Sequence, residues 1–166
     1  SPVHAIICES TEDTIGWIER VDYAEGLFLQ EYLGKEEAGH FVFISGGEIC
    51  SLVTNQEYKR AFTGDMGPLA GAPLAGLAEQ DPADQYGLAK ELIHPLRPWF
   101  EKTGYTGPLQ VTAILKDGTW HAIEYNIRLG VTTTALLLRM LKNPVKVLLE
   151  VVKNQNPVPE WNPDRF

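Results

Sequence analysis

Two apolar runs, each folded back on itself at a glycine-bearing turn, constrain this chain more than any other feature. Residues 40–44 and 48–53 flank Ser45-Gly46-Gly47, and residues 109–115 and 120–127 flank Lys116-Asp117-Gly118. Such runs around turn-compatible clusters predict antiparallel hairpins. Helical patterns lie before, between and after them. Residues 11 onward carry Ser10 or Thr11 as a cap, Glu12 and Asp13 in the first turn, and Ile15, Ile18 and Val21 as a stripe. Residues 84–102 give a helix that Pro95 and Pro98 should break, and residues 134–141 and Pro144–Val152 give two short helices. Residues 3–8 and 27–32 read as further strands. Hairpins mixed with helices predict an α+β fold, an antiparallel sheet with helices packed on it, not a doubly wound parallel sheet.

With 166 residues the chain has one domain's worth of sequence, and 44% hydrophobic against 22% charged residues indicates a globular chain. Residues 1–153 are expected to form the domain and residues 154–166, with three prolines, an extended tail. A net charge of −8 argues against a nucleic-acid partner. No apolar run is long enough for a membrane span, and the start of the chain lacks a basic n-region. A cytoplasmic location is expected, with Cys8 and Cys50 as buried reduced thiols. The sequence opens on a strand-like run without an initiator Met, which reads as a piece of a longer chain. Residues 54–81, rich in Gly and Pro, read as a long functional loop.

The strongest chemical signal is Ile123-Glu124-Tyr125-Asn126-Ile127-Arg128. Alternation puts Glu124, Asn126 and Arg128 on one face, if the strand holds that far, and Ile123, Tyr125 and Ile127 on the core face. A carboxylate, an amide oxygen and a guanidinium suit a hard cation and phosphate; a solvated strand face is the competing explanation. Trp120 shares the Glu124 face by the same alternation. Gln110, on the preceding strand, supplies a geometric test. A two-residue Asp117-Gly118 loop would point it to the core. A three-residue loop would set it across from Glu124 on the metal face, so the metal reading calls for the three-residue loop. A second signal is the acidic stretch Glu31 to Glu37 leaving an apolar run, suited to a ribose diol. A third is Lys59-Arg60 at the mouth of the Gly-rich loop, suited to phosphate or an acyl phosphate. His4, His40, His94 and His121 show no paired metal spacing, and no G-x-S-x-G, G-x-G-x-x-G or Walker sequence occurs.

Three segments in order resemble the ATP-grasp superfamily and, within it, phosphoribosylamine–glycine ligases. They are Glu31-Tyr32-Leu33 followed by Glu36-Glu37; Gln56, Lys59, Arg60, Gly64, Asp65, Gly67 and Pro68; and Glu124, Tyr125, Asn126, Arg128 and Gly130. The resemblance covers roughly residues 3–152. It implies that Glu31, Tyr32 and Leu33 hold adenine and Glu37 the ribose. It implies that Gln110, Glu124 and Asn126 ligate Mg²⁺ or Mn²⁺ on ATP, and that Lys59, Arg60 and Arg128 act on phosphate or acyl phosphate. The implied activity is ATP-dependent joining of a small-molecule carboxylate and an amine in purine biosynthesis, with a homodimer left open. The family's phosphate-covering, Lys-bearing segment and its N-terminal substrate domain are not recognisable here. The resemblance therefore also implies that the remainder of the enzyme is needed and that this chain alone is inactive. The Gly-rich loop reads Leu69-Ala70-Gly71-Ala72-Pro73 where the family has Asn-Thr-Gly-Gly-Met-Gly. Leu129-Gly130-Val131-Thr132-Thr133 stands where it has Phe-Gly-Asp-Pro-Glu, and Lys35 stands where a Gly is common. These departures fall where substrates would be oriented. The alternative from another class is a non-catalytic nucleotide-binding or interaction module that retains the fold.

Overall fold

Gly46 and Gly47 adopt φ of +61° and +79°, and Asp117 and Gly118 adopt +52° and +77°. Two consecutive left-handed residues match the right-handed twist of the strands on either side, so each pair closes a two-residue hairpin. The first joins β1 (Glu37–Ser45) to β2 (Glu48–Tyr58), and the second joins β6 (Gly107–Lys116) to β7 (Thr119–Asn126). This structure, a computed structural model, describes residues 6–20, 26–34, 37–64, 66–70 and 75–163. The chain divides into two compact units, Ser1–Gly34 and Lys35–Phe166.

In the first unit, α1 (Thr11–Ile18) starts at Ser10, whose Oγ accepts the Asp13 N–H at 3.0 Å. Glu12 and Asp13 lie in the first turn, where the helix dipole favours them. Ile15 is half exposed, so the expected stripe buries little. The strand expected over residues 27–32 does not form. Its described residues are non-regular, and Phe28 and Leu29 are exposed, because nothing described in this unit offers an edge to pair with. Half of the strand expected over residues 3–8 falls outside the described residues, as does Val21, and its described half, residues 6–8, is non-regular.

The second unit is an antiparallel sheet of order β5-β2-β1-β6-β7, with β5 at Ala75–Gln80. A small hairpin, β3 (Arg60–Phe62) with β4 (Met66–Leu69), precedes β5. Residues 54–81 are therefore mostly strand, not a long loop. Their glycines suggested punctuation, but Gly76 lies in β5, where a Cβ would come within 3.1 Å of Thr132 Cγ2.

Helices cover both faces. On one, Phe41, Phe43 and Val53 pack against Leu137 and Met140 of α3 (Val131–Met140) and Val147 and Val151 of α4 (Pro144–Val152). On the other, Val42, Ile44, Leu109, Val111 and Ala113 pack against Leu88, Ala89, Ile93 and Phe100. The helix expected over residues 84–102 is broken as its prolines require. A π turn at Ala89–Ile93 and a 3-10 turn at His94–Leu96 lead into α2 (Arg97–Thr103). Burying each large apolar side chain contributes about 1.5–3 kcal/mol, and this double-sided core is what holds the strands in register. Residues 154–163 run back along the sheet, where Trp161 bridges to Leu141 and packs on the α3–α4 side.

Candidate functional site

Strand parity decides which side chains meet. Lys116 pairs with Thr119, so the β6–β7 loop is the two-residue one. By the sequence argument Gln110 should then point to the core. It does not, because Thr112 pairs with Glu124 while Ala113 pairs with Ala122, leaving Ile123 as a β-bulge. The extra residue restores parity, and Gln110 pairs with Asn126. The requirement for an odd loop length was therefore wrong: a bulge does the same work. The bulge also overturns the expectation for Trp120. Together with Ala122 it lies on the opposite face from Glu124, packed against the Val111 core, with its indole N–H donating to Tyr86 O at 2.8 Å.

One end of the α3–α4 face is consequently polar. The pairings Gly39 with Asn55, Glu37 with Glu57 and Gly39 with Thr112 place Glu37, Asn55, Glu57, Gln110, Glu124 and Asn126 on that face of four adjacent strands. Gln110 Nε2 donates to Glu57 Oε1 at 2.9 Å and lies 3.5 Å from Asn55 Oδ1. Asn55 Nδ2 donates to the same Glu57 oxygen at 3.1 Å. Lys59 is ion-paired with Glu37 and lies 3.9 Å from Glu57 Oε2. Asn126 Nδ2 donates to Glu124 Oε1 at 3.1 Å. Two glycines make room. A Cβ on Gly39 would stand 2.7 Å from Asn55 Oδ1, and one on Gly130 would stand 2.8 Å from Gln110 Oε1. Gly130 caps the start of α3 with no side-chain hydrogen bond, so the positive end of that helix dipole opens beside Gln110.

The structure thus brings together Glu37, Lys59 and Gln110, and pairs Glu124 with Asn126. Arg60 is engaged elsewhere: its Nη1 donates to Gly67 O at 2.8 Å across the β3–β4 hairpin. Arg128 lies beyond β7, which ends at Asn126, so strand alternation does not place it; its Nη1 lies 3.4 Å from Leu129 O. Glu31, Tyr32 and Leu33 belong to the first unit, in non-regular backbone. Lys35, Glu36, Asp65 and the 71–73 stretch of the Gly-rich loop lie outside the described residues. Asn55 and Glu57 were missed, although they alternate with Lys59 along β2 and its continuation.

The opposite face holds a second polar cluster that sequence spacing did not reveal. His40, Asp81 and Asp84 are, among the described residues, the one group of three His, Cys, Asp or Glu side chains close enough to surround an ion. The Thr54 hydroxyl already fills the gap. It lies 2.8 Å from His40 Nδ1 and donates to Asp81 Oδ2 at 2.7 Å. The carboxylates also cap backbone, Asp81 at Gln85 N and Asp84 at Ala89 N and Lys90 N. The two carboxylates and His40 Nδ1 are thus satisfied within the structure, while His40 Nε2 is buried with no hydrogen-bond partner. Burial holds the His40 pKa below the usual histidine value despite the nearby Asp84 and Asp81. Cys8 and Cys50 are free and half-buried, less buried than expected, and burial raises the Cys50 thiol pKa. No described helix is long and apolar enough to cross a membrane.

No family model matches the chain. A phosphoribosylamine–glycine ligase of Halalkalibacterium halodurans is 29% identical over 143 residues, covering 81% of this chain and 32% of that protein. Another, of Vibrio vulnificus, is 30% identical over 147 residues, covering 81% and 33%. Among solved structures, a phosphoribosylamine–glycine ligase from Thermotoga maritima matches with a TM-score of 0.66 at 28% identity, over 80% of this chain and 35% of that one. A D-alanine–D-alanine ligase from Bacillus anthracis shares the fold, with a TM-score of 0.57 at 15% identity over 93% and 50%. The chain spans about a third of the length of the curated relatives it matches. By sequence the chain is similar to phosphoribosylamine–glycine ligases, and its antiparallel α+β architecture matches ATP-grasp ligases of known structure.

Proposed function

We propose that this chain is a portion of an ATP-dependent carboxylate–amine ligase that works through an acyl phosphate. The observation that carries the reading is the register of β6 and β7, which sets Gln110 against Asn126 with Glu124 on the same face. The donor set fits a hard divalent cation, because one carboxylate and two amide side chains offer oxygen ligands on adjacent strands. Charge supports it too. Glu37, Glu57 and Glu124 against Lys59 leave a formal −2 (three negative, one positive), which one divalent cation would offset. When bound, Mg²⁺ or Mn²⁺ would neutralise charge on the ATP phosphates.

In this reading Gln110, Glu124 and Asn126 hold the ion, and the uncapped start of α3 faces phosphate oxygens. Lys59, Arg60 and Arg128 stabilise charge on the transferring phosphoryl or acyl phosphate. Glu31, Tyr32 and Leu33 hold adenine, and Glu37 accepts from the ribose. The carboxylate substrate takes the γ-phosphoryl group, the amine then displaces phosphate, and an amide, ADP and phosphate result. Residues 1–153 carry the ATP-grasp part and residues 154–166 the tail. Cleavage of ATP calls for the remainder of the enzyme, so the chain alone binds nucleotide weakly and does not release ADP. The resemblance to phosphoribosylamine–glycine ligases points to purine biosynthesis in the cytoplasm.

One observation favours a second reading, a non-catalytic nucleotide-binding or interaction module. Lys59 and Arg60, the cations meant for phosphate, are occupied by Glu37 and by Gly67 O. Calorimetric titration with ADP, with and without Mg²⁺, tests the shared core of both readings. Binding that strengthens with Mg²⁺, and loses that gain in Glu124→Ala, supports the site. ADP binding indifferent to Mg²⁺ and to Glu124 would refute it. Restored ADP release on adding the missing part of the enzyme would then decide for the ligase.

A further inference from the structure

Glu57 is the hub of the polar end. Its side chain is only 8% exposed, and its Oε1 accepts from both Gln110 Nε2 and Asn55 Nδ2. Gln110 is itself buried, at 2% exposure. An amide has two chemically different ends, and only its NH₂ can face acceptor oxygens. Glu57 Oε1 and Asn55 Oδ1 both lie on the Nε2 side of Gln110. Asn55 in turn is fixed by donating its own NH₂ to Glu57, which leaves its oxygen for Gln110. The Gln110 oxygen is thereby turned the other way, toward Gly130, where a Cβ would meet it at 2.8 Å. An ionised carboxylate can only accept, so the end of the Gln110 amide that faces Glu57 Oε1 is its NH₂.

We propose that Glu57 is a positioning residue that locks the Gln110 amide with its oxygen toward the cation site. This rests on the reading of Gln110 as an oxygen ligand. Groups that orient a ligand commonly change metal affinity about 10–100-fold when removed. Glu57 would act in this way without touching the ion, and Asn55 would pass on the same constraint from the next position along β2.

The test is Mn²⁺ binding to the whole chain in the presence of ADP, read from the electron paramagnetic resonance signal of free Mn²⁺. Glu57→Met should weaken Mn²⁺ about tenfold or more. Glu57→Gln, which keeps an acceptor oxygen but no charge, should recover most of that loss. Gln110→Ala should cost about as much as Glu57→Met alone, and should add little on top of it, because both remove the same oriented oxygen. If Glu124→Ala abolishes Mn²⁺ binding but Glu57→Met leaves it intact, the positioning role is overturned and the site stands. Equal losses in Glu57→Gln and Glu57→Met would overturn it as well, since charge and not amide orientation would then be at work. If Glu124→Ala has no effect, the site reading itself fails and the inference with it. Should Glu57→Met not fold, the exchange Glu57→Gln with Gln110→Glu keeps the pair with donor and acceptor reversed. Tight Mn²⁺ binding is expected there, and a fall to the Gln110→Ala level overturns the proposal.

Discussion

Gly39→Ala is the most revealing single change. The residue sits in β1 between Asn55 and Thr112, and its backbone is not in the left-handed region, so alanine meets no conformational penalty. All of its cost comes from contact. The new Cβ would lie 2.7 Å from Asn55 Oδ1 and 3.0 Å from Gln110 Nε2, which is 0.7 and 0.4 Å inside the 3.4 Å where ordinary contact begins. Both atoms are ends of side chains and can withdraw, but withdrawal stretches the bonds that tie them to Glu57. Overpacking costs about 1–3 kcal/mol, and a hydrogen bond to a charged group is worth about 1.5–3 kcal/mol. Partial relaxation places the sum near 2 kcal/mol, which for a urea m-value of about 2 kcal/mol/M lowers the midpoint by about 1 M. Urea unfolding followed by far-UV circular dichroism measures this. In a background of Asn55→Ala with Gln110→Ala the collision has no target, and the same substitution should cost under about 0.5 kcal/mol. An unchanged midpoint in the native background, or an undiminished loss in the trimmed one, would refute the packing argument.

Other consequences can be measured as directly. Deleting Ile123 removes the bulge residue while every pair on either side keeps its partner, so the sheet should retain its register. The expected cost is about 1 kcal/mol for the lost half-buried side chain. Cross-strand nuclear Overhauser contacts between Gln110 and Asn126 that vanish in the deletion would contradict this. His40 gives a pH dependence whose sign is fixed: its folded pKa lies below the unfolded value of 6.5. The unfolded chain therefore takes up the proton first, and the stability tied to neutral His40 is full above pH 6.5 and falls as pH drops below it. The His40 imidazole resonances should titrate below the unfolded value of 6.5; a ring that titrates at or above that value would overturn the assignment.

The elements that were legible in the sequence are those with a local cause. The hairpin turns follow from Gly46-Gly47 and Asp117-Gly118, and the broken helix follows from Pro95 and Pro98. Alternation alone put Glu124 and Asn126 on one face. Three things had no local signature. The bulge at Ile123 is a matter of pairing, and it decided where Gln110 and Trp120 point. The strands within residues 54–81 were masked by glycines that serve close packing, as Gly76 does against Thr132. The loss of those strands from view also hid Asn55 and Glu57. His40 meets Asp81 and Asp84 only because β1, β2 and the turn after β5 converge, and no spacing along the chain announces that. Residues 27–32 failed the other way: an apolar run is not a strand without an edge to join.

Each face of the sheet carries one polar cluster, and only one of them is expected to attract a divalent ion. Adding Mn²⁺ with ADP to the isotopically labelled chain and following paramagnetic broadening of the backbone amides tests this. Broadening strongest at Gln110, Glu124 and Asn126 and weaker at Asp81 and Asp84 is the result expected here. Broadening centred on His40, Asp81 and Asp84, or spread with no centre at all, would contradict it.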